Sequence, residues 1–133
     1  MATGLPTFDA FSWASLMAGR QVLVIDRLRP QALGLAFAFE EAGAVVTIAP
    51  GQAIGADRLR DQAFSLAVLS LADGEPVSRQ LAPALAGNTM QWVVLAPPPI
   101  HADLRLRFAE ARIGDHSMSD REIILFTIGT PDE

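Results

Sequence analysis

Few side chains in this chain of 133 residues could carry chemistry, and the missing types narrow the field further. The sequence holds no cysteine, so disulfides, thiolate nucleophiles and cysteine-based metal sites are excluded. It also holds no lysine and no tyrosine; no step that needs an ammonium or a phenol can be supplied from within it. The two histidines, His101 and His116, lie far apart without HxxxH-type spacing, so no metal site and no cofactor are expected. No G-x-S-x-G elbow marks a hydrolytic serine. Three groups remain: Asp26 at the end of an apolar run, Ser70 at the end of another, and Asp73 in the turn Ala72-Asp73-Gly74. Each also has a structural role open to it. Asp26 can pair with Arg27 or Arg29, Ser70 can bond its own backbone, and Asp-Gly makes a tight turn.

Charge excludes further classes. The formal net charge is −5, and every basic residue apart from the histidines is arginine, placed singly or in pairs. Replacing counterions on a nucleic acid needs a concentrated basic face, so nucleic-acid binding is not expected; Arg58, Arg60, Arg105 and Arg107 are the one set that could gather in space. No apolar run reaches the roughly 20 residues of a membrane helix and no signal peptide opens the chain. A cytoplasmic domain with one hydrophobic core is the expectation.

The elements that must position these groups follow from apolar runs and their punctuation. Gln21–Asp26, Ala44–Ala49, Phe64–Leu71 and Gln91–Ala96 are continuous apolar runs, as strands buried on both faces of a parallel sheet should be. Between the first two, Pro30 can open a helix and Gly43 close it. Leu33, Leu35, Phe37 and Phe39 alternate with period two, but the length and the alanines favour the helix. Helices are expected over Gln52–Gln62, where Gly55 is unfavourable, over Pro76–Ala86, and over Ile100–Arg112. Residues 122–128 (EIILFTI) have the β-branched character of a fifth strand. Ser119 and Glu122 have the spacing of a capping box, which would start a helix instead; the strand is favoured. Alternating strands and helices predict an α/β, doubly wound, five-stranded parallel sheet with its functional end at the C-terminal strand ends.

The succession VLVID, a helix ending EEAG, a second strand, FSLAVLSLADGEP and WVVLAPPP resembles a response-regulator receiver over roughly residues 20–115. The resemblance implies a flavodoxin-like sheet of order 2-1-3-4-5, with residues 20–133 as the receiver-like domain and 1–19 as an N-terminal segment. It also implies a pocket of acids after strand one that hold Mg²⁺, an aspartate after strand three that accepts phosphate, a hydroxyl after strand four and a lysine after strand five. Asp26 matches one first-strand acid, but Arg27 stands where a second is usual. The acceptor position falls on Ser70, or on Val68 if the LADG turn sets the alignment, with Asp73 as a displaced candidate. The hydroxyl position falls on Ala96, and the lysine position near Thr130 or His116. The pocket is therefore expected to be degenerate, a pseudo-receiver without aspartyl phosphorylation, metal or catalysis. A role in binding another protein is implied, such as a histidine kinase or other bacterial signalling component.

The competing family is the dinucleotide-binding Rossmann group, whose opening cadence GRQVLVID…LGLAFAFEEAGAVV shares. Its first turn needs glycines beneath the pyrophosphate; here the turn runs Asp26-Arg27-Leu28-Arg29-Pro30-Gln31, with no glycine before Gly34. If residues 122–128 are the fifth strand, the last helix is missing and one sheet face is bare. Phe8, Phe11, Trp13 and Leu16 of the N-terminal segment would then cover it, as a docking helix or across a homodimer; residues 1–19 as a loosely ordered lead-in from a larger protein are the equal alternative.

Overall fold

The computed structural model describes residues 15–86 and 90–128. Within them β1 (Gln21–Ile25), α1 (Arg29–Glu41), β2 (Val45–Ala49), α2 (Gln52–Asp61) and β3 (Leu66–Ser70) follow in order. After these come α3 (Leu81–Ala86), β4 (Gln91–Leu95), a 3-10 turn (Pro98–Ile100), α4 (His101–Arg107), β5 (Arg112–Gly114) and α5 (Asp120–Ile128). The strands form one sheet of order β2-β1-β3-β4-β5, and every neighbouring pair is parallel. No helix among the described residues is long and apolar enough to cross a membrane.

Strand periodicity divides the core in two. Successive side chains point to opposite faces, so Leu23 and Ile25 of β1 join Leu69 and Val94 under α2, α3 and α4. Val22 and Val24 join Val68 and Val93 on the other face, under α1 and α5. The expected helix between Pro30 and Gly43 forms: Pro30 sits in its first turn, and Gly43 follows it with φ 98°, where a side chain would be strained. Its alternating apolar residues separate onto two helical faces. Leu35 and Phe39, one turn apart, are buried, whereas Leu33 and Phe37 are 47% and 63% exposed.

The C-terminal third differs from expectation. The fifth strand is Arg112–Gly114, paired with Val93–Leu95, and residues 122–128 belong to helix α5. The capping box decides the matter. Ser119 Oγ accepts from the Glu122 N–H at 3.1 Å, and Glu122 Oε1 accepts from the Ser119 N–H at 2.7 Å, satisfying donors that a helix start otherwise leaves open. Ile123, Ile124 and Thr127 then face inward at helical spacing. Thr127, fully buried, donates its hydroxyl to the Ile124 carbonyl at 2.6 Å. The last helix is thus present and, with α1, covers the face expected to be bare. The helix expected over Ile100–Arg112 ends at Arg107, because 108–111 must turn the chain into β5. Separately, the helix expected over Pro76–Ala86 begins only at Leu81.

The bare-face argument for the N-terminal segment therefore falls away. Leu16 packs partly buried beside α1 and α5, and the Met17 N–H donates to the Ala42 carbonyl at 2.8 Å. Phe8, Phe11 and Trp13 lie outside the described residues, as does Thr130.

Candidate functional site

The polar side chains of interest meet at the C-terminal ends of β1 and β3. Ile25 is paired with Leu69, so Asp26 and Ser70, the next residue on each strand, emerge side by side. Both are buried, 5% and 6% exposed. Asp26 Oδ1 accepts from the Leu28 N–H at 2.9 Å, which closes the turn into α1 in the manner of an Asx turn. The Ser70 side chain lies beside this carboxyl. Burial is the largest influence on this carboxyl and raises its pKa above the usual 3.8; the Leu28 N–H, the nearby His116 and Ser70 oppose that rise, and the Glu75 charge adds to it.

The pairing of Asp26 with Arg27 or Arg29 is not observed. Arg27 points outward and its guanidinium lies 4.0 Å from Glu75. The position just past β1 turns Asp26 into the sheet top, where it is buried, whereas Arg27 is exposed. Asp73 is exposed in the Ala72–Glu75 turn, and Gly74 has φ 77°, so this pair makes the tight turn its composition suggests. Ala96 is fully buried and contributes only backbone, donating its N–H to Gly114 at 3.0 Å. Its carbonyl accepts from His101 Nε2 at 2.7 Å.

Two residues gain importance from the fold. With β5 at Arg112–Gly114, the position after strand five falls at Asp115–His116. His116 Nε2 lies 2.7 Å from the Leu71 carbonyl; a carbonyl can only accept, so Nε2 carries the proton. His116 Nδ1 is buried without a partner. Glu75, which drew no attention beyond its place in LADGE, is an organiser. Its Oε1 accepts from the Ala72 N–H at 2.9 Å and its Oε2 from Gln52 Nε2 at 2.9 Å. Its three-residue offset from Ala72 was the available signal, since such spacing lets a side chain close its own turn.

These groups border a cleft of about 580 Å³. Among the described residues, no three His, Asp or Glu side chains gather as a metal site. A Mg²⁺ ion needs several hard oxygen ligands. Among the described residues Asp26 is the one buried carboxylate, its Oδ1 already accepts from Leu28, and Arg27 occupies the neighbouring position. The residues present do not fit the ion.

No protein-family model and no curated protein matches the sequence. Solved structures do. The chain is similar to a response regulator protein from Burkholderia pseudomallei, solved with a phosphorylated aspartic acid, a calcium ion and citrate. They share 19% identity at a TM-score of 0.68, over 81% of this chain and 66% of that one. This chain thus spans just under two thirds of that protein. It is also similar to a CheY-like receiver domain protein from Methanospirillum hungatei, at 16% identity and TM-score 0.66, over 80% of this chain and 89% of that one. A receiver protein from Sinorhizobium medicae gives 16% identity and TM-score 0.64, over 86% and 94%. Identities this low speak for fold alone. The chain has the receiver fold, a flavodoxin-like sheet of order 2-1-3-4-5.

Proposed function

We propose that this domain is a signalling module that binds another protein through a receiver fold and does not pass a phosphoryl group. The observation that carries the reading is the buried pair at the sheet top. In this reading the acceptor position is that of Ser70, which stands 6% exposed beside Asp26. An acyl phosphate forms by attack of a carboxylate on phosphorus, with cations to neutralise the incoming charge. The chain has no carboxylate at Ser70, no second acid beside Asp26, no hydroxyl at Ala96 and no lysine at all. The partner in this reading is a histidine kinase or another component of a bacterial signalling pathway, or a second copy of the chain, and the domain has no catalytic role of its own.

Amide NMR of the labelled protein, titrated with Mg²⁺ and then with beryllofluoride as an acyl-phosphate mimic, tests this. Unchanged signals around Asp26, Ser70–Asp73 and Ala96 are expected; shifts clustered there would overturn it. The Rossmann reading receives less support from the geometry. The sheet order departs from the 3-2-1-4-5 start of dinucleotide-binding folds, and Pro30 fills the first helical turn. Addition of ATP or NAD⁺ to the same sample should leave the spectrum unchanged.

A further inference from the structure

The third crossover is unusual in a way that opens a second cavity. After β3 ends at Ser70, residues 71–80 form no helix, and α3 starts only at Leu81. The sheet top is covered there by a loop, and a cavity of about 420 Å³ remains between that loop and the Pro97–Arg107 segment. Leu71, Val77 and Leu104 are buried in the core behind it, with Ile100 packed partly against them. Pro76, Pro97 and Pro99 line its rim; proline has no N–H, so these edges present no donor that water must satisfy.

The cavity is preformed. Gln52 Nε2 donates to Glu75 at 2.9 Å and to the Pro76 carbonyl at 2.8 Å. Gln52 Oε1 accepts from the Ser78 N–H at 2.6 Å. Ser78 Oγ in turn accepts from the Leu81 N–H at 3.1 Å. A loop held this way loses little freedom when something enters. Its volume lies within the usual ~300–1,000 Å³ of ligand sites.

Charge says what enters. The lining carries three carboxylates, Asp73, Glu75 and Asp103, against one guanidinium, Arg107. Arg107 is already engaged, 3.7 Å from Asp103 and 5.2 Å from the centre of the Phe108 ring. Glu75 is held by Ala72 and Gln52 and faces the Arg27 guanidinium at 4.0 Å, so Asp73 carries the uncompensated charge. Asp73 is exposed and makes no ion pair among the described residues. An apolar floor beside a net negative rim selects an apolar group with a cation next to it.

We infer that this cavity is a docking site for a partner protein's segment in which a large apolar residue adjoins an arginine or lysine. The apolar side chain fills the space above Val77, Ile100 and Leu104, and the cation meets Asp73. The inference deepens the protein-binding role proposed above and rests on it.

The test uses the full chain, labelled with ¹⁵N, and two capped dipeptides, acetyl-Phe-Arg-amide and acetyl-Phe-Glu-amide. Probes this small are expected to bind on the order of 1 mM, about −4 kcal/mol and well inside the ceiling for their size. The Phe-Arg probe should shift the amides of Asp73, Val77, Ile100 and Leu104, and the Phe-Glu probe should not. The exposed pair is worth roughly 0.2–1 kcal/mol, so Asp73→Asn should weaken Phe-Arg binding by up to about fivefold. Asparagine keeps the turn, so this variant folds. Ile100→Glu, checked for native signal dispersion, should abolish the shifts. Equal binding of both dipeptides, shifts confined to other surfaces, or silence up to about 10 mM, tenfold above that affinity, would each overturn the inference. The phosphorylation claim fails separately: a beryllofluoride response alongside intact Phe-Arg binding overturns that claim and leaves the docking site standing.

Discussion

Replacing Ser70 with aspartate places a carboxyl at the position that the proposed function takes for the acceptor's, and the structure predicts a large penalty. Asp26 is 5% exposed and Ser70 6%, and the two lie side by side at the ends of paired strands. A second carboxylate would therefore lie roughly 4 Å from the first. At an effective dielectric of about 20, two like charges at that distance repel by about 4 kcal/mol. Ser70→Ala, the control, loses at most a hydrogen bond to a charged group, up to about 3 kcal/mol. Ser70→Asp loses that bond as well, so it should be the less stable variant by several kcal/mol at neutral pH. The repulsion is relieved if the pair retains one proton. The native state of Ser70→Asp then binds a proton that the unfolded chain releases, so its stability falls as pH rises through that ionisation. Urea unfolding of both variants at pH 7 and pH 4.5 measures this. The expected gap is wide at pH 7 and narrow at pH 4.5. Equal stabilities at pH 7 in the absence of divalent ions would refute the reasoning, because they would mean a pocket open enough to solvate two carboxylates, the condition that acid-pocket chemistry requires.

Three further outcomes follow from the same geometry. The folded pKa of Asp26 lies above its unfolded value of 3.8, so its ionisation lowers stability as pH rises through that window, and the loss is constant above it. Asp26→Asn keeps an acceptor for Leu28 but removes the charge; thermal melts from pH 4 to 7 should show it gaining on the parent as pH rises, and a pH-independent difference would contradict the assignment. Gln52→Ala removes three hydrogen bonds that fix the loop after β3. At about 1 kcal/mol each, it should lower stability by about 1–3 kcal/mol and speed amide exchange at Ser78, whereas unchanged exchange would show the loop held by other contacts. Gly55→Ala gains about 1 kcal/mol of helix propensity, but its Cβ would meet Ile25 Cδ1 at 2.6 Å and Cγ1 at 2.9 Å. Overpacking of that kind costs about 1–3 kcal/mol, so a net loss near 1 kcal/mol is expected in chemical denaturation; Ile25→Val, which removes Cδ1, should shrink it, and a stabilised Gly55→Ala would mean that the helix can shift.

Burial on both faces leaves a one-dimensional mark, and for that reason four strands could be read directly from their apolar runs. The first helix was equally legible between Pro30 and Gly43, because proline and glycine restrict the backbone whatever surrounds them. The Asp73-Gly74 turn belongs with these local features, and so does the absence of any lysine, which removes one part of receiver chemistry before any fold is known. The fifth strand was not legible. Three residues, Arg112–Gly114, suffice at a sheet edge, and so short an element carries no pattern. Residues 122–128 favour a strand by composition, but packing against α1 and the Ser119–Glu122 box outweigh that preference, which depends strongly on context. The site depended on distance in space. Asp26 had Arg27 and Arg29 beside it in sequence, and the sheet instead gave it Ser70 and His116; Glu75 became an organiser through Gln52. The cavity above Val77 exists because α3 starts late, and whether a crossover ends in helix or loop is decided by what packs beneath it.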